Sequence, residues 1–366
     1  MNLWKRILLG GLALILPLGL SGCGYPELYE RVLIHGIGVD WDGQVYRVTV
    51  RSSTSAEDEG EELFTCEGST VLEALSSLSL STGREPFYAH NYLVVFGMDC
   101  ARQGLDRCLD FFVRYYNTRP AVKMFLAEGT AEEILSSERD GKLMKMSELQ
   151  ALGSGGRYNG QVADVDILNF VNGAKGEGTS PVLPVLRAGD SGVEAVSTGY
   201  FSGTKIKGFL SLEQTRGYLA AQGQWEHGEL AVFGDQLGAV TLSLRNVEGS
   251  VTAGLQDTPV FRITVEVDAD VSAAAGEREQ GSGFYRDLES AAARILREDL
   301  ISAIDQSAGQ DGCDIFGFGR QLYRHYTGFW RENSRNWPEI LPRCRYEVDV
   351  RVKVRRLEEE NLSGWN

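Results

Sequence analysis

A mixed α/β fold, α+β in its arrangement and divided into about three small mixed-sheet domains, is predicted for this 366-residue chain. Three observations predict it. Strand-like and helix-like segments alternate in the first half in the order ββαβαβα, which calls for a sheet with helices layered on it. Near the C-terminus Phe261, Ile263, Val265 and Val267 alternate with Arg262, Thr264, Glu266 and Asp268, the period of a strand with one buried face. Beyond that strand Leu288, Ala292, Leu296, Leu300 and Ile304 recur every fourth residue, the stripe of a helix with one apolar side.

The chain opens with Lys5 and Arg6, an uncharged run from Ile7 to Leu20, and then Leu20-Ser21-Gly22-Cys23. This is the layout of a secretory leader, and the cysteine at its end makes it a bacterial lipobox. The Cys23 thiol accepts a diacylglyceryl group, and cleavage before it removes residues 1–22 as the signal peptide. An uncleaved transmembrane anchor is the competing reading, but the run falls short of the roughly 20 apolar residues a spanning helix needs. The rest of the chain is then a lipid-anchored extracytoplasmic protein. Gly24 to Arg31 alone separate the lipid from the first strand, and that tether reaches roughly 25 Å at most when extended. The first domain is thereby held against a bilayer.

Val32–Val39 and Gln44–Arg51 read as a hairpin around Asp40-Trp41-Asp42-Gly43, followed by an acidic loop from Ser52 to Glu62. Thr70-Val71-Leu72-Glu73 is a capping box opening a helix with Leu72, Leu75 and Leu78 on its face, ending near Gly83. Asn91–Phe96 is a strand. Gly104–Tyr116 is a helix carrying Leu105, Leu109, Phe112 and Tyr116, broken at Arg119-Pro120 because proline bars further helix. Ala121–Ala127 is a strand, and Thr130-Ala131-Glu132-Glu133 caps the next helix. Residues 140–190, with Gly-rich stretches at 153–160 and 172–178, read as irregular. A strand pair around Gly203 follows, then a helix from Ser211 with Gln214 completing a capping box, then a strand at Val240–Leu244. The last helix carries Ile315, Phe318, Leu322, Tyr326 and Phe329. The final strand places Tyr346, Val348, Val350, Val352 and Val354 toward the core and Glu347, Asp349, Arg351, Lys353 and Arg355 toward solvent. Domains are expected at 23–192 (N-terminal α/β, including the irregular segment 140–190), 193–258 (middle) and 259–357 (C-terminal α/β), with a polar tail at 358–366. No internal repeat is visible.

The formal net charge is −15, and it grows more negative once Lys5 and Arg6 leave with the leader. Anionic leaflets repel such a body, so the lipid holds it at a membrane, not a basic patch. Nucleic acid is excluded as a partner on the same ground. Cys66, Cys100, Cys108, Cys313 and Cys344 are an odd, scattered set that reads as small buried hydrophobes, one disulfide among them being the alternative.

Motifs that carry chemistry are weak throughout. His35, His90, His227 and His325 lack a second ligand at metal-site spacing, and each reads as a surface or satisfied core residue. Gly317-Phe318-Gly319 lacks the third glycine of a dinucleotide fingerprint, since that position is Leu322; glycines there let another element approach closely while the aromatics fill the core. Ser202-Gly203-Thr204-Lys205 matches a Ser-x-x-Lys pattern, but it falls in a hairpin and lacks the companion motifs of such enzymes. Arg351, Lys353, Arg355 and Arg356 read as a solvated edge strand protected from sticking. Catalytic, cofactor-binding and metal residues are expected to be none.

The chain resembles the Ger(x)C family of spore-germination lipoproteins, the C subunits of germinant receptors. The resemblance rests on Leu20-Ser21-Gly22-Cys23, Gly36-Ile37-Gly38-Val39-Asp40, Thr70 to Leu75 with Leu78-Ser79, Ala89-His90-Asn91, and Asp110 to Arg114 before Arg119-Pro120. It continues through Glu213-Gln214-Thr215-Arg216-Gly217 to Asp314-Ile315-Phe316-Gly317-Phe318-Gly319, Trp330, Asn336-Trp337 and the closing Val-rich strand. Gly24-Tyr25-Pro26-Glu27 stands where the family has Trp-Asp and a basic-acidic run. The resemblance implies a three-domain α/β protein on the outer face of the spore inner membrane. It implies two integral membrane partners, an A-type subunit and a permease-like B-type subunit, and no known catalytic activity or cofactor. Lipidation carries over to Cys23.

The function expected is therefore that of a non-catalytic lipoprotein subunit of a spore germinant receptor. A solute-binding lipoprotein of an uptake system is the alternative, and a cell-envelope hydrolase a further one. The former would show two similar doubly wound lobes. Arg119, Arg216 and Asp314 are the candidate partner-contact residues; in the alternative, the arginines pair with nearby carboxylates and Asp314 caps its helix.

Overall fold

The computed structural model describes Trp4 and residues 31–53, 60–115, 121–234, 238–274 and 282–355. Cys23 with its lipobox and tether, Tyr116, Arg119-Pro120 and the polar tail lie outside the described residues. The described strands are β1 (Arg31–Trp41), β2 (Tyr46–Ser53), β3 (Glu62–Gly68), β4 (Glu85–Phe87), β5 (Leu93–Phe96), β6 (Lys123–Ala127), β7 (Glu138–Arg139) and β8 (Lys142–Leu143). They continue with β9 (Val182–Gly189), β10 (Gly192–Ser202), β11 (Lys205–Leu210), β12 (His227–Gly234), β13 (Gly238–Leu255), β14 (Pro259–Ala274) and β15 (Arg345–Val354).

Among the described residues these strands form a nine-stranded mixed sheet, a four-stranded sheet and the β7–β8 ribbon. The large sheet runs β11-β10-β9-β6-β5-β1-β2-β3, with β4 pairing β1 alongside. Its inner strands β1, β5, β6 and β9 are parallel to one another, which demands cover on both faces. The sequence supplies it. Along β5 and β6, Val94, Phe96, Met124 and Leu126 enter one core, while Leu93, Val95, Phe125 and Ala127 enter the other.

Helices α1 (Val71–Thr82), α2 (Met98–Gln103) and α3 (Asp106–Arg114) feed the first of those cores; α4 (Ala131–Leu135) and α5 (Met146–Ser154) close the second. The one-turn α6 (Gly156–Asn159) follows, and α7 (Ile167–Lys175) returns to the first core, with Phe170 edge-on to Phe201. The small sheet, ordered β12-β13-β14-β15, is covered on one face by α9 (Ser282–Ile304), which follows α8 (Leu212–Ala221) in the helix sequence. Tyr285, Leu288, Ala292, Leu296 and Leu300 of α9 are buried against it. The open face carries cross-strand ion pairs, Arg262 with Glu347 at 3.0 Å and Arg351 with Glu266 at 3.2 Å. Exposed pairs of this kind contribute little stability but keep an edge strand from recruiting a partner. The remaining helices, α10 (Phe318–His325), α11 (Thr327–Asn333) and α12 (Trp337–Ile340), form the link to β15.

The two sheets are not a pair of similar doubly wound lobes, so the architecture the solute-binding alternative calls for is not the one observed. The segment 193–258 supplies β10 and β11 to the large sheet and β12 and β13 to the small one. The position expected as a boundary, residue 192, is the turn of the β9–β10 hairpin, whose ladder runs from Gly189↔Gly192 to Val182↔Tyr200.

Several expectations need correction. Residues 140–190 are not irregular: α5, α6, α7 and β9 occupy much of the segment. Leu72 is half-exposed, and the buried face of α1 is Val71, Ala74, Leu75 and Leu78. Gly104 does not open a helix; it terminates α2 in a positive-φ conformation, and α3 starts at Asp106. The last predicted helix is interrupted: Gly317, at φ +74°, precedes α10, and Tyr326 separates α10 from α11. Of the β15 residues directed inward, Val352 and Val354 are buried, while Tyr346, Val348 and Val350 are half-buried because the strand lies at the sheet edge.

Candidate functional site at the junction of the two sheets

The segment Ser211–Gly217 is built to start a helix and to bring it close to another. Ser211 Oγ accepts from the Gln214 backbone N–H at 3.2 Å and Gln214 Oε1 accepts from that of Ser211 at 2.8 Å, so two otherwise orphaned donors are satisfied. Gln214 Nε2 also donates to Ser302 Oγ at 2.9 Å. One turn on, Arg216 meets Asp299 of α9 with N···O distances of 2.8 and 2.6 Å, and both side chains are nearly buried. Burial pushes the Asp299 carboxyl above the usual range, and the Arg216 charge opposes that rise. Gly217 makes the approach possible: a Cβ there would lie 2.4 Å from the Leu300 backbone nitrogen.

Asp314 does comparable work on the other side of the junction. Its Oδ1 accepts from Phe318 N at 2.8 Å, and its Oδ2 accepts from Gly319 N at 2.6 Å and Trp337 Nε1 at 2.9 Å. It therefore caps α10. It also faces the chain segment before β9: Ser180 N donates to the Asp314 carbonyl at 2.7 Å, and Asp314 N donates to Ser180 Oγ at 3.1 Å. Complete burial pushes its carboxyl up to about 6, with the three donors pulling the other way. Desolvation wins because removing a carboxylate from water costs more than these hydrogen bonds return.

Of the two glycines flanking Phe318, Gly317 supplies a left-handed φ of +74° and Gly319 permits a close backbone approach. A Cβ on Gly319 would sit 2.7 Å from the Gly178 Cα and 2.7 Å from the Trp330 ring, and Arg320 N donates to the Gly178 carbonyl at 3.1 Å. Trp330 Nε1 donates to Glu177 Oε2 at 3.0 Å. Phe318 itself is fully buried and packs against Phe261, Phe316 and Tyr346. A left-handed turn at Gly317, close approach at Gly319 and core filling by Phe318 are thus what the Gly-Phe-Gly motif does. Ser202-Gly203-Thr204-Lys205 is the β10–β11 turn, with Ser202 paired to Lys205.

Between α7, the segment 179–182, α8, the middle of β13 and α10 lies a polar cleft of about 510 Å³. Asn169, Asn172, Gln222, Gln224, Arg320 and Arg324 are among its walls. The segments carrying the sequence motifs, 213–217 and 314–319, converge on this junction although about a hundred residues apart in the chain. Arg216 and Asp314 are not on the cleft surface; they clamp the elements that frame it.

Sequence reasoning missed several partners here and elsewhere. Glu177 and Asp311 are two; the Tyr200 hydroxyl donates to Asp311 and also receives Gln306 Nε2 at 3.3 Å. A third group is the Arg51–Glu61–His35 network inside the large-sheet domain: His35 Nδ1 lies 2.8 Å from Glu61 Oε1, Glu61 Oε2 takes Arg51 Nη2, and Arg51 Nη1 donates to the Leu135 carbonyl at 2.8 Å. All three side chains are buried. No local signal in the sequence marks these pairings. The five described cysteines are free and buried, and burial pushes the Cys313 thiol up to about 11. Among the described residues no group of three or more His, Cys, Asp or Glu is placed to hold a metal ion, and no helix is long and apolar enough to cross a membrane.

Comparison with known proteins covers nearly the whole chain. Residues 24–188 match the family described as spore germination protein N-terminal domain, and residues 197–358 match spore germination B3/GerAC like, C-terminal. Among curated relatives, spore germination protein B3 of Bacillus subtilis (strain 168) is 20% identical, with 92% of this chain and 94% of the relative covered. Spore germination protein KC of the same organism is 22% identical, with 96% of each covered. The crystal structure of the GerBC protein superposes with a TM-score of 0.57 at 16% identity, covering 88% of this chain and 97% of that one.

Proposed function

This chain belongs to the GerAC-like family of spore germination proteins, and we propose on that premise that it is the lipid-anchored C subunit of a germinant receptor. Its role is in spore germination. The subunit works without catalysis, as a protein–protein element held on the outer face of the spore inner membrane by a diacylglyceryl group on Cys23. Its partners are integral membrane subunits, an A-type one and a permease-like B-type one. The observation that carries this reading is the coverage: the two family matches tile residues 24–188 and 197–358, leaving little chain for any other module. The acidic body supports attachment by lipid, because an anionic leaflet repels it.

The position of the motif residues bears on how such a subunit works. Arg216 and Asp314 serve the receptor by fixing the two sheets in one relative arrangement, and the surface they hold in place does the docking. Arg119 is a docking residue in its own right on this reading.

The test is genetic and biochemical. In a strain with no other receptor of the same specificity, deletion of the gene, or Cys23→Ala, slows or abolishes nutrient-triggered loss of optical density. The Cys23→Ala protein leaves the membrane fraction. Normal germination in the deletion strain overturns the reading, as does a Cys23→Ala protein that stays in the membrane fraction.

A further inference from the structure

The cleft at the junction is cationic in a protein that is strongly acidic overall. Arg320 and Arg324 lie one helical turn apart on α10 and both border the cavity. Neither guanidinium has an ion pair or hydrogen bond among the described residues, although the chain carries 51 carboxylate side chains against 36 Lys and Arg. The carboxylate on the wall, Asp164, is already taken: it pairs with Lys123 and lies 3.6 Å from Arg157. The Arg320 guanidinium comes within 3.7 Å of the space a Cβ on Gly176 would fill. Its charge also reaches Tyr218 on the cleft wall, where it opposes the rise that burial imposes on the phenol.

The other wall groups are neutral hydrogen-bonding ones. Asn169, Asn172 and Ser180 come from the large-sheet side, and Gln222, Gln224 and Gln321 from the other. A volume of about 510 Å³ is within the usual range for small-molecule sites, and a few convergent polar groups are what gives such sites orientation and selectivity. Two guanidinium forks without internal partners match the planar geometry of a carboxylate, which they bind bidentately.

We propose that the junction cleft binds a small organic anion bearing at least one carboxylate, held by Arg320 and Arg324 and oriented by the Asn and Gln amides of both walls. Because those walls belong to different sheets, the bound anion bridges them, and occupancy stabilises their arrangement by mass action. Binding here does not need the lipid anchor or the membrane subunits. Its failure therefore leaves the germination reading intact, and loss of germination in the Cys23→Ala strain says nothing against the cleft.

The experiment is isothermal titration of the purified full chain with citrate, with inorganic phosphate and glycerol as comparison probes at constant ionic strength. The expected result is saturable one-to-one binding of citrate, weaker binding of phosphate and none of glycerol. Arg320→Ala combined with Arg324→Ala weakens citrate binding about tenfold or more, as expected when charge-assisted hydrogen bonds are removed. The unliganded variant keeps the parent melting temperature, because both side chains are exposed, and loses the rise in melting temperature that citrate gives the parent. Absence of saturable citrate binding overturns the proposal. So does citrate binding that the double variant retains, or phosphate binding tighter than citrate binding.

Discussion

Trp337 donates its indole N–H to Asp314 Oδ2 across 2.9 Å, in a site from which both side chains have lost all but a trace of their contact with solvent. The same oxygen takes Gly319 N, and its twin takes Phe318 N. Asp314→Ala leaves three donors without an acceptor in a buried setting. Each such orphan costs about 1–3 kcal/mol, and relaxation returns part of it, so the expected loss is about 2–5 kcal/mol. Urea denaturation checks this: the midpoint falls while the slope is kept. A variant within about 0.5 kcal/mol of the parent contradicts the role assigned to Asp314.

The same carboxyl confers a pH dependence of definite sign. Burial pushes it up to about 6 from its ordinary value of 3.8, so between those values the folded state holds a proton that the unfolded state has released. Stability from this group is complete below about pH 4 and is lost as pH rises through about 6. Asp42 and Glu213, whose carboxyls hydrogen bonds hold below the ordinary range, slope the opposite way, so the comparison with Asp314→Asn is the diagnostic one. The parent loses stability relative to Asp314→Asn on going from pH 4 to 7. A constant difference across that range shows that Asp314 does not titrate there.

Arg216 and Asp299 are expected to be strongly coupled. Removing either partner leaves the other charge nearly buried and unpaired, a change that costs about 3–5 kcal/mol for a fully buried pair and less here, where a residual tenth of each side chain sees water. Removing both costs less than the sum. A double-mutant cycle with Arg216→Ala and Asp299→Ala, followed by denaturation, is expected to give a coupling of about 1–3 kcal/mol. Additive losses mean that the contact contributes nothing specific.

Gly217→Ala separates helix propensity from packing. In an exposed helix interior the change stabilises by about 1 kcal/mol. Here the new methyl meets backbone of α9 at 2.4 Å, and backbone cannot yield as a flexible side chain can. A net loss of about 1–3 kcal/mol is expected, read as a lower melting temperature. A rise would mean that α8 and α9 are free to move apart.

Local features of the chain were legible in the sequence, and distant ones were not. The boxes at Thr130–Glu133 and Ser211–Gln214 are built as read, because a cap is decided by residues three apart. The α1 face was misread because Leu72, Leu75 and Leu78 recur at a spacing that Val71, Ala74, Leu75 and Leu78 satisfy better. In 140–190, frequent glycine concealed the one-turn α6 and also α5 and α7, whose Met146, Leu149, Ile167 and Phe170 are buried in the cores against the large sheet. The length of β13 was hidden by a register shift between Arg245 and Val247, where Asn246 takes φ +49°; a bulge reverses which residues face inward, so the alternation loses phase midway. The junction depends on pairings such as Ser180 with Asp314 and Glu177 with Trp330. Their chemistry was visible as motifs on one side only.

The β9–β10 hairpin has a consequence for inheritance and engineering. Its turn falls between the stretches that match the N-terminal and C-terminal family descriptions, yet eight cross-strand pairings bind its arms. A gene cut at that point would yield one fragment lacking the sheet's outer strands and another carrying two strands with nothing to lie against. Chimeras between relatives should therefore be joined after Leu210, where the ladder has finished, so that each parent contributes a sealed unit.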